Sequence, residues 1–154
     1  MKIVLEGCDG TGKTTLAIKL SNIYRLDVCH CTQYDPSDFL FYQQTLRKEN
    51  IVWDRHTIGE LIYPRIFNRE QKTTEEEAMR IIEYGKNIGA RFFVLTADDS
   101  VIKTRLETRG GENKAILDNI KLINSEFVSY AHKFNIPVID TSKMTFSQII
   151  NLIN

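Results

Sequence analysis

The chain has 154 residues, 42% of them hydrophobic and 26% charged, with 20 Lys+Arg set against 20 Asp+Glu. That length favours one domain able to bury most of its apolar surface unaided, and the charge balance argues against electrostatic binding of nucleic acid or anionic membranes. The longest apolar run, Phe92 to Leu95, cannot span a bilayer, and three cysteines make no disulfide framework; residues 1–154 are expected to form one soluble, reduced, cytoplasmic domain.

With only 3 Pro and 8 Gly, nothing reads as a linker. In chain order, Ile3-Val4-Leu5 predicts a first strand, followed by a helical segment opening at Thr14-Thr15-Leu16-Ala17. A second strand is predicted over Asp27–Thr32, and Ser37 to Glu49 leaves room for one helix. Ile51-Val52-Trp53 makes a third strand, and Ile58 to Arg69 places Glu60 and Tyr63 on one helix face. Thr74 with Glu77 forms a capping box ahead of Ala78, Ile81 and Ile82, and Gly89 supplies the stop. Phe92 to Thr96 is a fourth strand, followed by a helix from near Ser100 that ends at Gly110-Gly111. Lys114 to Phe134 carries Ile116, Ile120, Ile123, Phe127, Tyr130 and Phe134 on one stripe. Ile136 to Ile139 is a fifth strand, and a last helix begins near Thr145 with Phe146, Ile149, Ile150 and Ile153 inward. Alternating strands and helices predict an α/β fold, a five-stranded parallel sheet with helices on both faces. The active site of such a sheet lies at the carboxyl ends of its strands.

Gly7-Cys8-Asp9-Gly10-Thr11-Gly12-Lys13-Thr14 matches G-x-x-x-x-G-K-[ST] in full, between a predicted strand and a predicted helix. Gly7, Gly10 and Gly12 let the backbone curl into a nest of N–H groups, and the following helix adds its positive end. Lys13 reaches β- and γ-phosphates, the Thr14 hydroxyl ligates Mg²⁺, and Asp9, Thr11 and Thr15 complete the candidate ATP-binding set. The cofactors expected are therefore ATP and Mg²⁺.

The run Glu6-Gly7-Cys8-Asp9-Gly10-Thr11-Gly12-Lys13-Thr14-Thr15 resembles the E-G-x-D-G-x-G-K-T-T of thymidylate kinases. The resemblance implies a P-loop NTPase fold with strand order 2-3-1-4-5, and an Asp9 that contacts the sugar of an acceptor nucleotide. Read without the family, Asp9 is first a turn residue bonding its own backbone. Some family members carry an arginine inside this loop where this chain has Gly10, so the missing charge must come from elsewhere.

Asp54-Arg55-His56 follows the third strand. A carboxylate there is placed to hold Mg²⁺, and the adjacent arginine offers a planar fork for phosphate oxygens. Thymidylate kinases carry Asp-Arg-Tyr or Asp-Arg-His at this place, and the likeness implies that Arg55 binds the acceptor phosphate. A structural ion pair is the alternative. His56 reads as orienting a neighbour, since an acceptor phosphate is already ionised and needs little base catalysis. Glu60 and Tyr63 face either the acceptor or the core, and Phe39, Phe41, Tyr42 and Arg47 are the nearest candidates for a base clamp, Phe41 first.

Arg105 and Arg109, four apart ahead of Gly110-Gly111, resemble the R-x-x-x-R lid of nucleotide kinases. The likeness implies a short lid over about 105–114 whose arginines close on the transferring phosphates. Cys29-His30-Cys31 splits its side chains between two strand faces and lacks a partner pair, so zinc is not expected.

The reading is an ATP-dependent (deoxy)nucleoside monophosphate kinase, most like thymidylate kinase, with Lys13, Arg55, Arg105 and Arg109 as catalytic residues. Its acceptor set is Asp9, Arg55, Glu60, Tyr63 and Phe41, and its metal set is Thr14 and Asp54. A deoxynucleoside kinase with Glu6 as base is the first alternative, and a nucleotide-binding regulator without a small acceptor the second. The expected partner is a small-molecule nucleotide, without membrane or nucleic acid. The family likeness implies a homodimer through helices flanking the sheet.

Overall fold

Strands β1 (Lys2–Gly7), β2 (Asp27–His30), β3 (Ile51–Asp54), β4 (Ala90–Thr96) and β5 (Val138–Asp140) make one parallel sheet in the order β2-β3-β1-β4-β5. The structure is a computed structural model and describes residues 1–154. The helices are α1 (Lys13–Tyr24), α2 (Phe39–Thr45), α3 (Gly59–Ile66), α4 (Glu75–Asn87), α5 (Asp99–Arg109), α6 (Lys114–Leu117), α7 (Ile120–Lys133) and α8 (Phe146–Ile153). The architecture expected from the alternation of elements is the one found, and so is the strand order that the resemblance implied. No helix is long and apolar enough to cross a membrane.

Strand pleating divides the core in two. Val4, Trp53, Phe92 and Val94 point to one face, where residues of α2, α3, α4 and α7 cover them in a cluster of 27 buried residues. Ile3, Leu5, Val52, Phe93 and Leu95 point to the other, where α1 and α8 contribute Leu16, Leu20, Ile149 and Ile153 to a cluster of 12. Because the central strands are covered on both faces, every one of their residues can be apolar. That is why they read as continuous runs.

Local chemistry sets the ends of the elements. The Thr74–Glu77 capping box forms as predicted, and Thr145 with Gln148 forms a second one at α8. β2 stops at His30, two residues before the predicted end, because the Thr32 N–H turns to the Asp35 carboxylate at 2.6 Å instead of a strand neighbour. β5 begins at Val138, two residues late, since Pro137 has no N–H for a ladder bond. The predicted helix over Lys114–Phe134 is divided into α6 and α7. There the Asn119 side chain donates to the Ala115 carbonyl at 2.8 Å and competes with the helical backbone. The stripe survives the break, with Ile116, Ile120, Ile123, Phe127 and Phe134 all buried.

Inside α4, Gly85 packs where a side chain has no room. A Cβ there would lie 2.7 Å from the ring of buried Phe92 and 3.1 Å from Leu46. Replacing a mid-helix glycine by alanine normally gains about 1 kcal/mol of helix propensity, but overpacking a filled core costs about 1–3 kcal/mol. Gly85→Ala should therefore lower the urea midpoint; a raised midpoint would show that this contact is loose.

Candidate active site

The loop between β1 and α1 is shaped by two close approaches. Gly7, at φ 140°, would place a Cβ 2.3 Å from the Leu95 carbonyl oxygen of β4, so only glycine fits. Gly10, at φ 82°, would place one 2.9 Å from Leu106 and 3.1 Å from Ile102. Helix α5 thus lies directly on the loop and leaves no space for an arginine at position 10. Within the curl, the Cys8 carbonyl accepts from Thr11 Oγ1 at 2.7 Å, Thr11 N at 3.3 Å and Lys13 Nζ at 2.9 Å. Burial pushes the Lys13 pKa below its ordinary value, against the pull of the Asp54 charge.

At the carboxyl end of β3, Asp54 Oδ2 accepts from the Thr14 hydroxyl at 2.5 Å and lies 3.4 Å from His30 Nδ1. Burial raises the carboxyl, but hydrogen bonds from His30 and Thr14 and the charge of Lys13 outweigh it and hold the pKa below the usual value. Its other oxygen, Oδ1, is buried with no partner. A buried anionic oxygen left free beside a hydroxyl is the donor chemistry a hard cation takes. No cluster of three His, Cys, Asp or Glu side chains exists that would hold a metal by protein ligands alone.

Next to it, Arg55 sits at φ 74° with its N–H bonded to the Leu5 carbonyl at 2.9 Å. A left-handed non-glycine residue of this kind costs on the order of 1 kcal/mol and must be held by its surroundings. What holds it here is a buried knot. The Arg55 guanidinium donates to Asp9, the Tyr63 hydroxyl donates to the other Asp9 oxygen at 3.2 Å, and the guanidinium lies 5.7 Å from the Tyr63 ring centroid. Asp9 is thus paired with Arg55 rather than bonded to its own turn.

Two open cavities flank this knot. The first, about 650 Å³, is bounded by the phosphate loop, Thr14, Thr15, Lys19, Asp54, Arg105, Arg109 and an apolar end made by Met144, Phe146 and Ile149. The second, about 520 Å³, is bounded by the β2–α2 turn, Tyr42, Glu60, Tyr63, Phe67, Arg69, Glu112 and Ile116. Asp9, His30 and Arg55 line both. The cavities therefore meet at the carboxyl ends of β1, β2 and β3.

Several sequence candidates are placed differently from the expectation. Phe41 does not line the second cavity; it packs edge-on to Tyr42 at 5.3 Å, and Tyr42 is the α2 aromatic that faces the space. Helical spacing alone does not say which of two adjacent aromatics points inward. Glu60 lines that cavity, but both its oxygens are held by Arg69, at 2.9 and 2.7 Å. Arg105 is docked rather than free, donating to Gly10 O at 3.2 Å and Thr141 Oγ1 at 3.0 Å. His56 bridges Thr45 at 2.8 Å and Thr57 at 2.6 Å, and burial drops its pKa to about 3, so it is neutral and positional. Glu6 lines neither cavity. Its Oε1 accepts the Ile58 N–H at 2.7 Å, and Oε2 is buried without a partner.

No protein-family model matches the chain. Over 116 residues it is 31% identical to the SPbeta prophage-derived uncharacterized protein YorR of Bacillus subtilis (strain 168), covering 71% of this chain and 70% of that protein. The chain belongs to the YorR family. The crystal structure of Bacillus subtilis YorR in complex with phosphorylated GDP superimposes with a TM-score of 0.82 at 24% identity, over 99% of this chain and 93% of that one. The M. mycoides deoxyadenosine kinase with bound dCTP gives a TM-score of 0.61 at 16% identity, over 99% of this chain and 96% of that one. Thymidylate kinase from Candida albicans gives 0.61 at 18%, over 98% and 88%. The fold is that of the P-loop nucleoside and nucleotide kinases.

Sequence reasoning passed over three groups that this YorR-family chain places in its cavities. His30 was weighed only as a metal ligand, yet it stands at the junction. Arg69 closes the segment read as a helix but lies beyond the end of α3 at Ile66, from where its side chain turns back to Glu60. Thr141, whose hydroxyl donates to Thr11 O at 2.8 Å, ties the β5–α8 loop to the phosphate loop across 130 residues. No local pattern marks so distant a contact.

Glu6 supplies a pH test of the buried framework. Burial raises its pKa from 4.5 to about 7, partly opposed by the Ile58 and His56 amides. The folded protein therefore keeps a proton that the unfolded chain has lost, and stability falls as pH rises from 4.5 through 7. That loss is on the order of 3 kcal/mol at full ionisation. Glu6→Gln cannot ionise, so its stability relative to wild type, by urea unfolding, should climb across that window and level off above it. A difference independent of pH would place the Glu6 pKa near its ordinary value.

Proposed function

We propose that this chain is an ATP-dependent kinase of (deoxy)nucleoside monophosphates, of thymidylate-kinase-like organisation, returning ADP and the nucleoside diphosphate. The observation that carries the reading is the meeting of two cavities at Asp9, His30 and Arg55, with a phosphate loop on one side only. A donor lies in the first cavity with its phosphates on the amides of Gly10 to Thr15. Lys13 leaves the Cys8 carbonyl to meet the β- and γ-phosphates. The apolar end at Met144, Phe146 and Ile149 takes the donor base. The acceptor lies in the second cavity with its phosphate at Arg55.

Thr14 and Asp54 fit a Mg²⁺ ion carried in with the donor phosphates, since Asp54 Oδ1 is a free buried oxygen. When bound, that ion supplies positive charge to the β- and γ-phosphate oxygens. The chain's own residues do the rest. Arg55 keeps Asp9 through one amino group and has Nε buried without a partner, so it can turn N–H groups to a phosphate without abandoning the carboxylate. An acceptor phosphate oxygen attacks the γ-phosphorus in line, the bond from γ-phosphorus to the β–γ bridging oxygen breaks, and ADP leaves. Arg109, lining the donor cavity, neutralises the group in flight, and Arg105 holds α5 against the loop.

The choice of monophosphate over nucleoside as acceptor rests on the state of the carboxylates: Asp9, Glu60 and Glu112, which line the second cavity, are each paired with an arginine. A 5′-hydroxyl must lose a proton. Glu6, the carboxylate proposed for that task, lines neither cavity, and His56 is enclosed between two threonine hydroxyls. An ionised phosphate needs no such help.

ADP release with ATP–Mg²⁺ and a panel of nucleosides and monophosphates tests the reading. Monophosphates should raise turnover over ATP alone, and nucleosides should not. Stimulation by nucleosides alone would make the chain a nucleoside kinase, and stimulation by neither a nucleotide-binding regulator. Lys13→Ala should lower kcat at least about a hundredfold, as loss of a donor to the developing charge does. Arg55→Ala should raise the acceptor KM by about tenfold or more, the worth of a charged hydrogen bond, while the KM for ATP stays close to wild type. A drop confined to ATP would remove Arg55 from the acceptor.

A further inference from the structure

α5 ends at Gly110, and the chain returns to the site through Glu112. Arg109 and Glu112 are ion-paired across this turn, yet they belong to different spaces: Arg109 lines only the donor cavity and Glu112 only the second one. The carboxylate is the buried half of the pair, its side chain 11% exposed against 59% for the arginine. Its other oxygen accepts the Asn113 N–H at 3.1 Å. The side chain is thereby fixed in the wall of the second cavity, while Arg109 lies half-exposed at the donor cavity.

Resting on the kinase reading above, we propose that Glu112 is a positioning residue that withholds Arg109 from the γ-phosphate until a nucleoside monophosphate fills the second cavity. Without an acceptor, Glu112 holds Arg109 by charge and hydrogen bond, and ATP bound alone meets an incomplete set of cations. An acceptor changes both sides of the balance. Its hydroxyl or amino groups donate to the Glu112 carboxylate, and its phosphate adds negative charge that draws Arg109 toward the junction. Arg109 then completes the site when the acceptor, rather than water, is placed to attack. Water attack on the γ-phosphorus, releasing ADP and inorganic phosphate, is the reaction the latch suppresses.

The contact is weak enough to be broken by a ligand. An ion pair with one half-exposed partner is screened by water, and an acceptor acts on both halves at once, donating to Glu112 while its phosphate draws Arg109, which ATP in the donor cavity alone does not do. Arg55 and Asp9 behave differently. Asp9 is buried, so stripping it of its partner would leave a buried charge unpaired, and that pair stays. The Arg69–Glu60 pair is held the same way, its carboxylate buried, so of the three arginine–carboxylate pairs at the site only the lid pair is fit to act as a latch.

Glu112→Gln keeps the shape and removes the charge; Glu107→Gln removes the same charge from the exposed side of α5, where Glu107 faces only Lys103. For each protein, acceptor-independent ATP hydrolysis, monophosphate-stimulated ADP release and the affinity for a non-hydrolysable ATP analogue without acceptor are measured. Glu112→Gln should raise acceptor-independent hydrolysis and tighten the analogue by about two- to fivefold, with a matching fall in the stimulation by acceptor. Glu107→Gln should match wild type in all three. Equal effects of the two variants, or a Glu112→Gln stimulation unchanged from wild type, would overturn the latch and leave the kinase reading intact. If wild type itself shows no stimulation by any monophosphate, the kinase reading fails and the latch fails with it.

Discussion

Everything at the site depends on how closely the turn after β1 approaches β4. Gly7 packs against the Leu95 carbonyl where no side chain fits, and Gly10 packs against Leu106 and Ile102 of α5 in the same way. Those two contacts fix the curl of the phosphate loop and set α5 directly upon it. The amides then face one cavity, Lys13 is buried beneath them, and α5 is held against the loop. The cost is a loop that cannot carry an arginine. Its charge is supplied instead by residues outside the loop.

The cations of the site, in the loop and around it, all rest on oxygen partners. Lys13 is on the Cys8 carbonyl, Arg55 on Asp9, Arg105 on Gly10 and Thr141, and Arg109 on Glu112. Carboxylates offset the charge of Arg55 and Arg109, while Lys13 and Arg105, on neutral carbonyl and hydroxyl oxygens, keep theirs, so the site is held in place and still positive enough to attract an anion. Burial separates the two carboxylate pairs: the arginine of the Arg109–Glu112 pair is half-exposed, Asp9 is buried, and Asp54 has one oxygen free.

The fold was legible because its signals are local. Continuous apolar runs mark the central strands, the Thr74 box marks α4, and the phosphate-loop pattern locates the first turn. Where the reading slipped, a side chain competed with the backbone. Asn119 divides the α6–α7 segment, Asp35 ends β2 and Pro137 delays β5. The site was legible in its anchors and less so in its walls. Lys13, Thr14, Asp54, Asp9 and Arg55 converge as their motifs suggested. Tyr42 and Thr141 take their places through contacts between distant segments, which spacing along the chain does not encode, while Arg69 and Glu112 are held by nearer neighbours whose pairing no motif marks.

A ligand that occupies both cavities at once tests the central claim most directly. Adenosine joined through five phosphates to a second nucleoside bridges the donor loop and the acceptor wall across the Asp9–Arg55 junction, so its binding, by titration calorimetry with Mg²⁺, reports whether the two spaces act as one site. The account predicts affinity at least about a hundredfold above that of ATP or either monophosphate alone, as expected when two binding events are joined by a linker matched to their separation. A bridged ligand that binds no more tightly than ATP would show that the second cavity takes no nucleotide in line with the first, and the proposed transfer would have no path.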